Sequence, residues 1–328
     1  MSAGSLVISK EKVLLFVDGR YIEKCKKNGQ IEVIRHEPGS LLQALEEKVR
    51  IGFSADSTSY AAFMKLQAEI GEKNELVALS MPIQKIRAIK EPRELVLIEK
   101  SAELCVKGLE FLYTRLRNGV TEKILAKELE LFWINEGADC FAFEPIIAFG
   151  ENSSMPHYRA GNIHLKEGDA VLIDIGVVVD SYASDMTRMA FYGTPDARFT
   201  EIYEVVKNAQ GAAIDACSPG VTSQDLYDVA MGVIEKAGFA EAFLHSLGHG
   251  IGLDVHEYPV LKRDPEPCEI KPGMVLTIEP GIYLPGVGGV RIEDMVLITE
   301  NGHRVLTSCP KSVMVNVVPR SLGLARSS

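Results

Sequence analysis

The feature that most constrains this chain is a segment that occurs twice. Lys166-Glu-Gly-Asp-Ala-Val-Leu-Ile-Asp174-Ile-Gly176 aligns without gaps on Lys271-Pro-Gly-Met-Val-Leu-Thr-Ile-Glu279-Pro-Gly281, with a lysine, two glycines and an isoleucine in register and an acid opposite an acid. Solenoid arrays need at least three copies at shorter periods, so two copies about a hundred residues apart predict a two-lobed domain with pseudo-two-fold symmetry. Both copies are short β-branched apolar runs punctuated by Gly and Pro, and read as strands. An ionised carboxylate in such a strand is costly unless it is paired, hydrogen-bonded or bound to metal. A fold that repeats this cost in both halves predicts a cleft between them that holds both acids.

Each copy is followed by a second acid. A hairpin turning near residues 179–180 is expected to set Asp174 opposite Asp185, with the two side chains roughly 5 Å apart at Cβ. Glu279 and Glu293 likewise flank the turn Pro285-Gly-Val-Gly-Gly289. Between the copies lies Gly248-His249-Gly-Ile-Gly-Leu-Asp-Val-His256-Glu257. His245 and His249 have the four-residue spacing of a helix face, but Gly248, Gly250 and Gly252 argue against a helix. Four carboxylates and the His249 imidazole form a ligand set suited to Mn²⁺, Co²⁺ or Zn²⁺. Two such ions about 3.5–4 Å apart activate a bridging water and polarise a carbonyl together. A plain structural role exists for each residue alone: Arg188 as a partner for Asp185, Glu257 or Asp254 for His256, a turn for His157, packing for Tyr158 and Tyr283, and an ordinary salt bridge for Arg291. The repeat, with its opposed acids and the histidine-rich turn between the copies, favours the metal reading. His36, His164 and His303 lie outside any motif.

The rest of the 328-residue chain frames this constellation. Its length predicts a large core plus a smaller companion domain. A net charge of -10 without any Lys/Arg block argues against a nucleic-acid partner. The six cysteines are scattered, which fits a reducing compartment. With no leader-like start and no apolar run of spanning length, a cytoplasmic protein without membrane contact is expected. Val13–Val17 opens a small α/β domain, residues 1–84. Pro82 and Pro92 bracket a charged segment suited to a linker, a domain over 85–318 follows, and 319–328 form a tail. Helices are predicted over 93–117, from an N-cap at Thr121 to Gly137, and at about 198–217 and 222–237. The fold class is α+β.

Taken together, Met155-Pro-His157-Tyr158, Leu172-Ile-Asp174-Ile-Gly, Ser184-Asp185-Met-Thr-Arg188, His245-Ser-Leu-Gly-His249 through His256-Glu, Ile278-Glu279-Pro-Gly-Ile-Tyr283 and Val290-Arg291-Ile-Glu293-Asp294 resemble the pita-bread metallopeptidases, in the aminopeptidase P and prolidase branch. The resemblance spans about residues 82–310. It implies a dinuclear exopeptidase that cleaves an N-terminal Xaa-Pro bond in proline-containing peptides, with Mn²⁺ as the first expectation for both ions, and a homodimer. By that resemblance Asp174 chelates one ion, Asp185 and Glu293 bridge both, and His249 with Glu279 completes the second site. Glu279 doubles as the acid/base, His157 and His256 serve the scissile carbonyl and the proline nitrogen, His245 and Tyr158 border the substrate, and Arg291 supports Glu293 and the bound water. Relatives in this branch carry a longer N-terminal domain, so peptide-length preference and dimer geometry stay open. Methionine aminopeptidase shares the scaffold but tends to have Gly where Tyr158 follows His157. The same scaffold also serves non-catalytic binding proteins and creatinase-like enzymes.

Overall fold

A computed structural model describes residues 4–315 except 28, 30, 46 and 47. The expected tail, 319–328, lies outside the described residues. The chain divides into two compact units, residues 1–83 and 84–328. In the first, strands Gly4–Ile8, Val13–Val17 and Glu32–Arg35 form one sheet and Arg50–Ser54 pairs in parallel with Glu75–Leu79. Leu14, Phe16, Leu41 and Ile70 form its core, so the unit is α/β as the sequence suggests.

The second unit is built twice over. Its first half has a helix pair, Pro92–Arg115 and Glu122–Asn135, and a sheet in which strand Ala170–Ile175 runs between Ile146–Phe149 and Met186–Tyr192. The second half repeats the plan with helices Ala197–Ala216 and Ser223–Lys236, and strand Val275–Ile278 between Gly248–Gly250 and Asp294–Thr299. Helix starts follow their caps: Thr121 and Thr222 accept hydrogen bonds from the backbone N–H groups of Ile124 and Asp225. The central strand of the first half alternates cleanly. Val171, Ile173 and Ile175 pack against the first helix pair, while Ala170 and Leu172 face the opposite core and share their side of the sheet with Asp174.

Two local expectations are corrected. The segment between Pro82 and Pro92 is no solvated linker: Pro82–Arg87 is helical, Lys90 is 6% exposed, and both Arg87 and Lys90 pair with the buried Glu257 carboxylate. The first hairpin turns at Asp180-Ser181, both with positive φ, one residue later than expected. Asp174 therefore lies opposite Thr187 in the ladder. Asp185 shares that sheet face two residues along, a diagonal neighbour at roughly 7–8 Å instead of a direct partner. The second hairpin keeps the expected register. Val275–Ile278 and Gly281–Leu284 pair with Asp294–Thr299 and Gly288–Arg291 on one continuous count, which sets Glu279 opposite Glu293.

Candidate metal centre and peptidase site

The two hairpins meet at one cavity of about 480 Å³ whose lining includes Asp174, Asp185, His249, Glu279 and Glu293, together with His157, Tyr158, His245, His256 and Arg291. Every site residue expected from the sequence is thus brought to one place. Asp174 and Asp185 come from the first hairpin, and Glu279, Arg291 and Glu293 from the second. His249 comes from the short strand beside Val275–Ile278, where Thr277 Oγ1 accepts its backbone N–H at 3.0 Å. Gly248 lets that strand approach closely, because a Cβ there would overlap the Thr277 carbonyl.

The donor set fits a divalent metal. Asp185, His249 and Glu293 offer ligand atoms within 4.8 Å of one another. His249 Nδ1 lies 3.0 Å from the Gly250 carbonyl and so carries the proton. That leaves the Nε2 lone pair facing Glu279 Oε1 at 3.4 Å and Asp185 Oδ2 at 3.7 Å. Lone pair against carboxylate is repulsive unless a cation or a proton stands between, and a backbone carbonyl on the far nitrogen is the usual support of a metal-ligating histidine. Asp174 Oδ1 and Glu293 Oε1 are buried and have no hydrogen-bond partner among the described residues. Buried acceptors of that kind call for a cation.

Electrostatics agree. Burial, reinforced by Asp174 and Glu279, holds the Asp185 carboxyl well above the usual range. Burial with Asp185, Glu279 and Asp174 does the same to Glu293. Burial lifts Glu279 to about 8, with Arg291 opposing. His249 is pushed down to about 4 by burial and by His256, whose ring centroid lies 4.3 Å away. His245 is lowered to about 4 by burial and by Arg291, and is neutral near pH 7. Neutral imidazoles beside carboxyls that cannot all ionise are what a site looks like when its charge is completed by divalent cations.

Several supporting side chains carry no clear signal in the sequence. Thr187 donates to Glu293 Oε2 at 2.7 Å and accepts from Arg291 at 3.1 Å, so Arg291 reaches Glu293 through a threonine and pairs directly with Asp174. With the turn placed one residue later, the sequence would set Thr187 opposite Asp174, as Glu293 is opposite Glu279. Tyr283 accepts from Arg291 at 2.7 Å and its hydroxyl meets His245 Nε2 at 2.8 Å, so it is more than a packing residue. Arg188 does not pair with Asp185. It is fully buried, pairs with Asp294 at 2.5 Å and donates to the Glu293 carbonyl, which fixes the backbone of a candidate ligand. His256 is not held by Glu257 or Asp254, whose carboxylates pair with Arg87 and, for Glu257, Lys90. Tyr158 donates to the buried Glu122 at 2.7 Å.

A duplicated half with a hairpin acid pair in each copy and a five-residue carboxylate/histidine centre defines the pita-bread class of hydrolytic metalloenzyme. The comparisons agree: the sequence profile of metallopeptidase family M24 matches residues 96–300, and that of the creatinase/prolidase N-terminal domain matches residues 1–89. The chain belongs to metallopeptidase family M24 and is a peptide-bond hydrolase. A Xaa-Pro dipeptidase of Pyrococcus furiosus is 34% identical over 315 residues, covering 96% of this chain and 90% of the relative. Among solved structures, a Xaa-Pro dipeptidase from Bacillus anthracis superposes with a TM-score of 0.90 at 32% identity, over 96% of this chain and 90% of that one. An X-Pro aminopeptidase from Thermotoga maritima superposes with a TM-score of 0.84 at 32% identity, over 96% and 91%. Among the described residues no helix is long and apolar enough to cross a membrane.

Proposed function

We propose that this chain is a dinuclear metal exopeptidase that releases the residue preceding proline at the N-terminus of a peptide. The observation that carries the reading is the set Asp174, Asp185, His249, Glu279 and Glu293 lining one cavity, with ligand oxygens left unpartnered there. The Xaa-Pro preference is supported by the activity in the names of the relatives and by two histidines, His157 and His256, that line the same cavity as Glu279.

In this reading the five residues hold two divalent ions, with Mn²⁺ the first choice and Co²⁺ or Zn²⁺ as substitutes. When bound, the ions polarise the scissile carbonyl and make water acidic enough to attack it near neutral pH. Glu279 lines the cavity beside His249 and takes the proton from the attacking water; bound cations would offset the burial that raises its carboxyl and keep it ionised, as a general base must be. His157 and His256 hydrogen-bond the scissile carbonyl or shuttle the proton taken up by Glu279 to the departing proline nitrogen, which must be protonated because it leaves a tertiary amide. The Arg291–Thr187 contact fixes the Glu293 carboxylate, and Arg291 holds Asp174. His245, held by the Ser246 carbonyl and Tyr283, is a neutral wall for the substrate, and Tyr158 borders it beside His157.

The test is hydrolysis of a Xaa-Pro dipeptide, a Xaa-Pro-Yaa tripeptide and a Met-Ala-Yaa tripeptide, each with Mn²⁺, Co²⁺ and Zn²⁺. Release from the proline substrates alone supports the reading, and their ratio tells dipeptidase from aminopeptidase. Faster release from Met-Ala-Yaa would reassign the enzyme to methionine aminopeptidase, and no release from any would point to a binding protein.

A further inference from the structure

The duplication reaches beyond the hairpins. Gly119-Val120-Thr121 and Gly220-Val221-Thr222 are the same tripeptide, and they occupy the same place in each half. Gly119 N–H donates to the Leu165 carbonyl and Gly220 N–H to that of Ile270. Leu165 N–H returns to Val120 and Ile270 N–H to Val221. Thr121 bridges His164 as Thr222 bridges Glu269. The next residue breaks the symmetry: Glu122 in the first half, Ser223 in the second. Ser223 does a modest job, accepting the backbone N–H of Cys268 at 3.0 Å. Glu122 reaches much further. It is 0% exposed, and its Oε1 accepts from Phe149 N–H at 2.9 Å and Asn152 Nδ2 at 3.0 Å. Its Oε2 accepts from Tyr158 Oη at 2.7 Å and Gly161 N–H at 2.9 Å.

We propose that Glu122 is a positioning residue of the peptidase reaction, the clamp that fixes the loop carrying His157 over the metal centre. The four donors lie on both sides of His157 along the chain, so one side chain closes the loop at each end. A carboxylate offers two oxygens and no donor, which is the only side-chain chemistry that satisfies all four at once. The serine that suffices in the sister half is too short to span such a loop. The loop's inner flank is fixed from the second half as well: Gly289 donates to Ser153 Oγ at 2.8 Å, and a Cβ at Gly288 would come within 2.9 Å of the Gly150 carbonyl. The loop that carries His157 is thereby held by a clamp in its own half and a glycine seat beside Arg291. Loss of the clamp leaves every ligand in place and frees the histidine, and a misplacement of about 1 Å in a catalytic group costs on the order of 100-fold.

The proposal rests on the reading of His157 above, and its test separates the two. Metal-loaded wild type, Glu122→Gln, Glu122→Ser, His157→Ala and the Glu122→Gln/His157→Ala double variant are compared on one Xaa-Pro peptide, with metal content and urea midpoint measured alongside. Gln keeps the shape but turns a donor toward donors, and Ser restores the sister-half residue. Both are expected to lower kcat by at least about tenfold with KM changed less than about threefold and metal content unchanged. The double variant should be no slower than His157→Ala alone, because a clamp acting through His157 has nothing left to position. Wild-type kcat in Glu122→Gln, or losses that multiply in the double variant, would overturn the proposal. Should the Glu122 variants fold poorly, Asn152→Ala removes one donor and leaves the carboxylate; kcat a few-fold lower supports the clamp, and unchanged kcat overturns it. A wild type inactive on Xaa-Pro peptides sinks the reading of His157 and the proposal with it.

Discussion

Replacing Arg188 with methionine should cost far more than a buried arginine's distance from the substrate suggests. Its guanidinium pairs with Asp294 and donates to the carbonyls of Thr187, Glu293, Thr307 and Pro310. At roughly 1 kcal/mol for each of the four carbonyl bonds and roughly 2 for the charged one, the gross loss is about 6 kcal/mol. Asp294 keeps Lys311, Gln210 and Thr307 as donors, so it is not left as a bare buried charge. The net cost then settles below the gross figure, near 3–5 kcal/mol, because Asp294 stays compensated while four buried carbonyls lose their donor. That is a 10²- to 10³-fold or larger shift toward the unfolded chain at 1.4 kcal/mol per decade. Urea unfolding followed by fluorescence reads it directly, because Trp133 is the chain's single tryptophan and lies buried against Phe141. Metal affinity should fall in parallel, since the Glu293 backbone loses its anchor. A loss below about 1 kcal/mol with undiminished metal binding would refute the idea that Arg188 carries the second hairpin's register to the metal ligands.

Further consequences follow from the same geometry. Glu279→Gln should reduce kcat by about 10²–10⁴-fold while circular dichroism stays native, as expected on removing a general base. Gly248→Ala should drive a methyl into the Thr277 carbonyl, cost about 1–3 kcal/mol in thermal or urea unfolding, and displace His249 enough to weaken metal binding. Asp185, Glu279 and Glu293 all have raised carboxyl values, so the metal-free protein holds extra protons at neutral pH and metal uptake should release them. Calorimetry in buffers of different ionisation enthalpy counts those protons, and a count of zero at pH 7 would contradict the burial argument. The sign for stability is set by the same shift. A carboxyl raised in the fold contributes stability that is complete below its unfolded value near 4.5 and is lost as pH rises through the folded value, about 8 for Glu279. The buried histidines, lowered to about 4, work against the fold only below about pH 6.5, so metal-free protein should melt lower at pH 8.5 than at pH 7, with the difference shrinking once metal is bound.

The four candidate carboxylates are legible in the sequence because the duplication marks them twice, whereas His249 is flagged only by the glycine-rich segment between the copies. An acid at the same step of two copies of one strand is a signal that neither Asp174 nor Glu279 gives alone. The register of the first hairpin is not legible, because Asp180-Ser181 takes left-handed backbone without a glycine to announce it. The glycine-rich Pro285–Gly289 turn does announce itself, and there the pairing follows the expected count. Arg188 is misleading for a related reason. Proximity in sequence suggests Asp185, but strand neighbours alternate faces, and the true partner is more than a hundred positions away. The Pro82–Pro92 segment looks like a linker because its charges are dense, yet Arg87 and Lys90 are spent on Glu257, beside His256. Glu122 reads as an ordinary first-turn acid, and only the Gly-Val-Thr repeat ahead of it shows that its partner position holds a serine.

Whether two cations share five side chains between the two hairpins is tested most directly by anomalous diffraction from Mn²⁺-loaded crystals. Two peaks about 3.5–4 Å apart are expected, with Asp185 and Glu293 touching both, Asp174 on one side and His249 with Glu279 on the other. A single peak, or a pair that leaves any of the five beyond coordination distance, would contradict the dinuclear centre.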